Sequence, residues 1–137
     1  MILLDTHVLV WSSFDDKRLG ELSRGRIVDG LLNDSLRMSP ISAWEIAMLA
    51  NKGRLKLNMP VGEWIAQAAQ NHGVRWTGLL PWTAVAAANL PGRLHGDPAD
   101  RIIIASARAE GCTLLTSDRA ILAYAEAGHM QAADARR

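Results

Sequence analysis

Short uninterrupted apolar runs, each too brief for a helix and each closed by a polar residue, alternate along this chain with segments of helical periodicity. No other feature narrows the possible folds as strongly. "ILLD" at residues 2–5 reads as a short buried strand, "THVLVWSSF" (6–14) as a first helix and "LGELSRGRIVDGLLN" (19–33) as a second, amphipathic one. "LRMSPI" (36–41) suggests the next strand, followed by a helix over "SAWEIAMLANKG" (42–53) that Gly53 closes. A further helix fits "PVGEWIAQAAQNHG" (60–73), with Pro60 opening it and Gly73 ending it. "VRWTGL" (74–79) is the weakest strand, and "PWTAVAAANL" (81–90) the helix after it.

"HGDPADRIIIASA" (95–107) then opens a helix that ends near Gly111; "CTLLTS" (112–117) is a strand, "DRAILAYAEAG" (118–128) a helix, and "HMQAA" (129–133) a last strand. Strands alternating with helices imply a parallel sheet covered on both faces, a three-layer α/β/α sandwich. At 137 residues, without repeat, low-complexity tract or long linker, the chain is expected to form a single domain over 1–137.

Composition narrows the function classes. Fifteen Lys and Arg against fourteen Asp and Glu leave a net charge of +1, so any nucleic-acid binding must come from a local basic patch. The single cysteine, Cys112, lies in an apolar run and is expected to be a buried core thiol, which fits a reducing, cytoplasmic setting. "MILLDTH" has no basic leader and too few apolar residues for a secretion signal. The charge-free stretch from Trp76 to Gly92 is interrupted by prolines, and no membrane span is expected.

In open α/β sheets, ligands gather beyond the carboxyl ends of the strands. Asp5 follows "ILL", Asp118 follows "CTLLTS", Asp100 lies in the first turn of the helix leading into that strand, and Glu45 in the first turn after "LRMSPI". Each has a purely structural explanation. Asp5, Asp97 and Asp118 can cap helices, and "SAWE" is a capping box in which Glu45 would reach back to Ser42. Converging carboxylates without matching lysines or arginines repel one another, however, and such clusters serve mainly to bind a cation. Hard oxygen donors without thiolates or paired histidines favour Mg²⁺ or Mn²⁺ over zinc; His7, His72, His95 and His129 are scattered, with His95 placed to contact substrate. A carboxylate-held Mg²⁺ suits hydrolysis of phosphodiesters.

"LLDTHVLVW", "SPISAWEIAMLANKGRLKL", "HGDPADRIIIASA" and "LLTSDRAIL", in that order across nearly the whole chain, resemble a PIN-domain ribonuclease of the VapC type, the toxin of a bacterial type II toxin–antitoxin pair. The resemblance implies the PIN α/β/α sandwich and an acidic quartet on Asp5, Glu45, Asp100 and Asp118. Of these, Asp5, Asp100 and Asp118 would hold the metal; Thr116 would orient Asp118, and Asp97 would support the site. It further implies RNA cleavage by metal-activated water, a homodimer, and a VapB-type antitoxin that wraps the toxin and blocks the site. Ala99 stands where similar motifs often carry a bulky aromatic, and Leu49 where a lysine is frequent.

RNA backbone beside a negative pocket needs basic flanks. Lys52, Arg54 and Arg101 are the expected contacts, with Lys56 and Arg119 nearby. Trp44, Trp64 and Trp82 are expected in the core, and Trp11, on an apolar stripe with Val8, at a dimer face. Two other functions compete. A haloacid-dehalogenase-like phosphatase also begins with an aspartate after its first strand, but His7 stands where its second aspartate is required. A PIN-like binding module that no longer cuts would keep the fold and the caps alone.

Overall fold

The computed structural model describes residues 1–71 and 73–137; His72 lies outside the described residues. The elements run β1 (Ile2–Leu4), α1 (Thr6–Ser13), α2 (Glu21–Leu32), β2 (Leu36–Met38), α3 (Pro40–Asn51), α4 (Val61–Asn71), β3 (Arg75–Trp76), α5 (Pro81–Ala88), α6 (Pro98–Glu110), β4 (Thr113–Thr116), α7 (Arg119–Glu126) and β5 (Ala132–Asp134). The sheet is five-stranded and wholly parallel, in the order β3-β2-β1-β4-β5. The alternation of strands and helices is thus realised as the expected α/β/α sandwich.

Neighbouring strand residues serve opposite layers, as the two-residue period of a strand demands. Leu4 and Leu115 pack with Val8, Ile27, Ile46 and Trp64 on the side of α1 to α4, whereas Leu3 and Leu114 pack with Ile103, Ile104, Ile121 and Tyr124 on the side of α6 and α7. All four leucines are at most 1% exposed, each contributing roughly 1.5–3 kcal/mol of hydrophobic stabilisation. Cys112 belongs to the second layer and is a buried free thiol.

Several boundaries differ from expectation. β2 stops at Met38 because Ser39 is the N-cap of α3, its hydroxyl accepting from the N–H of Ile41 at 3.2 Å, and Pro40 opens the helix. The helix therefore begins two residues ahead of Ser42, which is buried inside it. At its other end Gly53, with φ +70°, allows the N–H groups of Gly53 and Arg54 to reach Ala50 O and Leu49 O, a Schellman closure. β3 keeps only two residues, and β5 lies at 132–134 instead of 129–133.

The tryptophans also divide differently. Trp64 is buried, but Trp44 and Trp82 are 56% and 69% exposed, so neither is a core residue. Trp11, expected at a dimer face, is buried within its own chain, with Arg18 4.8 Å above its ring and His7 edge-on at 4.9 Å. Among the described residues, no helix is long and apolar enough to cross a membrane.

Candidate active site

The strand order reverses between β1 and β4: the chain builds outward from β1 through β2 to β3, then returns to place β4 on the other flank of β1. Beyond the carboxyl ends of these two strands the connecting helices leave in opposite directions and open a crevice. Asp5 follows β1 directly and Asp118 follows β4 by two residues, so both stand at this crevice. Thr116, at the last position of β4, joins them. Its hydroxyl donates to Asp5 Oδ2 at 2.6 Å and accepts from the N–H of Asp118 at 3.1 Å.

Both aspartates are helix caps as well. Asp5 Oδ1 accepts from the N–H of Thr6 at 2.8 Å, and Asp118 Oδ1 from Ala120 and Ile121 at 2.8 and 3.2 Å. Capping and site membership are therefore compatible, because each uses a different part of the carboxylate. Asp5 is 4% exposed, unusual for an acid, and is held by these hydrogen bonds without any lysine or arginine partner among the described residues.

Glu45 makes no capping box. Ser39 holds the cap, and Glu45 Oε1 accepts from the Thr6 hydroxyl at 2.5 Å; that hydroxyl also meets Ser42 Oγ at 2.8 Å. A hydroxyl has one proton, so Thr6 donates to the carboxylate and receives from Ser42. The contact ties α3 to the start of α1, one residue from Asp5. Burial, then the charges of Asp5 and Asp97, push the Glu45 carboxyl above its ordinary range against the opposing Thr6 hydrogen bond.

Asp97 and Asp100 part company as well. Asp97 is the N-cap of α6, accepting from the N–H of Asp100 at 2.9 Å. Asp100, one turn in, faces the other acids. Burial and the charges of Asp5, Asp97, Asp118 and Glu45 raise its carboxyl to about 7.

Among the described residues, Asp100, Asp118 and His95 form a compact group whose ligating atoms lie within 4.8 Å of one another; Asp5 and Glu45 stand outside it. His95 Nε2 is 3.4 Å from Asp100 Oδ2, while its Nδ1 accepts from the N–H of Asp97 at 3.3 Å. Sequence placed His95 near the acidic turn; the distance makes it a member of the group. The donor set fits a divalent cation: carboxylate oxygens without an ion-paired lysine or arginine among the described residues, and one imidazole.

His7 is a residue that sequence reasoning left unassigned. Its Nε2 accepts from the N–H of Ser117 at 3.1 Å and meets Ser117 Oγ at 2.8 Å, which puts the proton of the neutral ring on Nδ1, 3.6 Å from Asp5 Oδ2. Burial lowers its pKa, with Asp5 opposing. Position 7, two residues after a strand-end aspartate, was the only signal for it.

The basic residues divide. Lys52 and Arg54 are exposed after α3, at the Schellman turn. Arg101 is not free for a phosphate: its guanidinium donates to the carbonyls of Ala87, Ala88, Leu94 and His95 at 2.9–3.4 Å, clamping the connection between α5 and α6. Arg119 pairs with Asp134 at 3.6 Å. Arg18 and Arg136, both near Trp11 and both acting on His7, are further cations beside the crevice. A cavity of about 750 Å³ lies elsewhere, along β5 between α2 and α7, and is lined by none of the four acids.

Residues 2–127 match the PIN domain model. The chain is 38% identical over 123 residues to Ribonuclease VapC22 of Mycobacterium tuberculosis, a match that covers 90% of this chain and 91% of that protein. Among solved structures, FitAcB from Neisseria gonorrhoeae superposes with a TM-score of 0.60 over 98% of this chain and 97% of that one. At 18% identity that likeness bears on the fold alone.

Proposed function

This chain belongs to the PIN domain family, and on that footing we propose that it is a metal-dependent endoribonuclease, the toxin of a toxin–antitoxin pair held in check by a VapB-type antitoxin. What supports the reading is a set of contacts at the β1/β4 crevice: Thr116 joins Asp5 to Asp118, Asp100 and Asp118 share a compact group with His95, and Thr6, next to Asp5, holds Glu45, with no arginine or lysine ion-paired to any of these acids among the described residues. The 38% identity to a ribonuclease supports the choice of RNA as substrate.

Asp100 and Asp118, grouped with His95, would hold the ion, Mg²⁺ or Mn²⁺, and Asp5, joined to Asp118 through the Thr116 hydroxyl, would complete the set. When bound, the ion supplies positive charge beside a phosphodiester and makes water more acidic. Thr116 keeps Asp5 and Asp118 in register with each other through its single hydroxyl. Glu45, with Oε1 occupied by Thr6 and a raised pKa, suits a base that takes the proton of attacking water on Oε2. Lys52 and Arg54 contact the RNA backbone. The protein works as a single domain, as a homodimer, in the cytoplasm.

The test is incubation of partner-free protein with structured RNA in Mg²⁺, in Mn²⁺ and in chelator. Cleavage in either metal and none in chelator is expected. Equal cleavage in chelator, or an Asp5→Asn variant as active as the parent, overturns the metal-nuclease reading; no cleavage in either metal leaves a PIN-like binding module.

A further inference from the structure

A cleft of about 540 Å³ opens between α7 and the segment linking α5 to α6. This is within the range of roughly 300–1,000 Å³ typical of small-ligand sites. Its floor is one face of α7, Ala120 and Ala123, continued by Ala127 at the helix C-cap, all exposed, and its rim carries Arg93, His95 and His129. One end of it meets the acids: the Ala120 N–H donates to Asp118 Oδ1 at 2.8 Å, and His95 Nε2 stands 3.4 Å from Asp100 Oδ2.

The segment that bears this rim has no regular structure, yet it is pinned from several sides. Arg101 donates to the carbonyls of Leu94 and His95, and the Tyr124 hydroxyl to that of Pro91. His129, stacked on Tyr124 at 4.6 Å, covers Gly92 so closely that a Cβ there would come within 2.5 Å of its Nε2; Gly92 also has φ +73°. Arg108 in turn donates to the carbonyl of His129. The backbone that carries Arg93 and His95 is therefore preformed, and a ligand entering the cleft need not order it.

We propose that this cleft seats the nucleotide next to the scissile phosphate and thereby selects where the RNA is cut; this rests on the ribonuclease reading above. Alanine methyls form a smooth apolar floor for the face of a base, which aromatic or guanidinium planes commonly supply elsewhere. Arg93, which has no ion-pair partner among the described residues, offers a fork of donors to a phosphate or to the acceptors of a base edge. A guanidinium on the rim of a cleft that runs into a negative metal site is the polarity that a nucleotide flanking the cleaved bond requires.

The experiment titrates the full chain, in chelator, with the four ribonucleoside 5′-monophosphates, following backbone amide resonances, and in parallel measures RNA cleavage and maps the cut sites. Shifts are expected at Arg93, Ala120, Ala123 and Ala127, lost in Ala123→Phe, which fills the cleft, and weakened in Arg93→Ala, which removes only an exposed side chain. Both variants should raise KM roughly tenfold, equivalent to about 1.4 kcal/mol, with kcat nearly unchanged and the cut-site preference altered. If the parent cleaves RNA but both variants keep its KM and cut sites, the subsite is overturned and the nuclease reading stands. If monophosphates bind in the cleft while the parent cuts no RNA, the nuclease reading falls and takes with it the role of the cleft in choosing a cut; if the parent cuts RNA and no monophosphate shifts these resonances, the subsite alone falls.

Discussion

The Thr6 hydroxyl donates to Glu45 Oε1 at 2.5 Å across 39 residues of chain, and this contact removes Glu45 from the helix cap it resembles in sequence. Ser39 already satisfies the first turn of α3. Glu45→Gln should therefore leave the thermal midpoint almost unchanged while cleavage falls by about 10²-fold or more, the scale of a lost general base. Thr6→Val should lower activity less, since the carboxylate survives but loses its anchor. A Glu45→Gln enzyme that cuts RNA like the parent, in a gel assay with labelled RNA, would falsify the assignment of Glu45 as base.

Asp97 and Asp100, three residues apart, should separate cleanly. Asn caps a helix as well as Asp, so Asp97→Asn is expected to cost no more than about 0.5 kcal/mol and to keep most of the activity. Asp100→Asn should stay folded and lose cleavage. Circular dichroism melts with single-turnover kinetics on the two variants decide it; the reverse ranking would show that the cap is the catalytic member of the pair.

The raised carboxyl of Asp100 makes a pH prediction of definite sign. Its value of about 7 in the folded protein lies above its ordinary 3.8, chiefly through burial and then through the other acids. Between about pH 4 and 7 the folded state holds a proton that the unfolded chain has released, so the metal-free protein loses stability as pH rises through that window and levels off above it. Asp100→Asn should flatten this profile and stabilise the metal-free protein at pH 8 by roughly 1–2 kcal/mol, less than full linkage because the side chain keeps some solvent contact. Metal binding must displace the same proton, so the apparent Kd for Mg²⁺ should weaken about tenfold per pH unit below 7. Calorimetry in chelator and isothermal titration with Mg²⁺ across pH 5–8 test both; a flat profile in the parent sinks the account.

The elements were legible wherever a local pattern is also the deciding one. "ILL" and "TLLT" are buried on both faces, so uninterrupted apolar runs marked β1 and β4, and with them the position of Asp5 and Asp118. Local pattern failed where two solutions compete within a few residues: "SPISAWE" offers Ser39 before a proline and Ser42 before a glutamate, and only the contact from Thr6 separates them. Hydrophobic identity does not carry direction, which is why Trp44 and Trp82 face solvent while Trp11 is buried under Arg18. His95 joins the acids through the path of an irregular loop, which no periodicity describes.

Arg101 shows the same limit and yields the last prediction. Next to Asp100 in sequence it looks like a phosphate contact, but its donors end on four carbonyls, two of them 13 and 14 residues upstream. Removing it leaves those carbonyls without their partner, so Arg101→Ala should cost about 1–3 kcal/mol of stability, and Arg101→Lys should recover little because an ammonium cannot span the set. Lys52→Ala and Arg54→Ala, on exposed side chains, should instead preserve the melt and weaken RNA binding uniformly across sequences, each lowering the slope of log Kd against log salt by about 0.7–0.9. Denaturant melts and salt-dependent binding of inactive protein to RNA distinguish the two kinds of arginine. An Arg101→Ala variant with the parent's stability and a reduced salt slope would return Arg101 to the RNA and leave the clamp without a purpose.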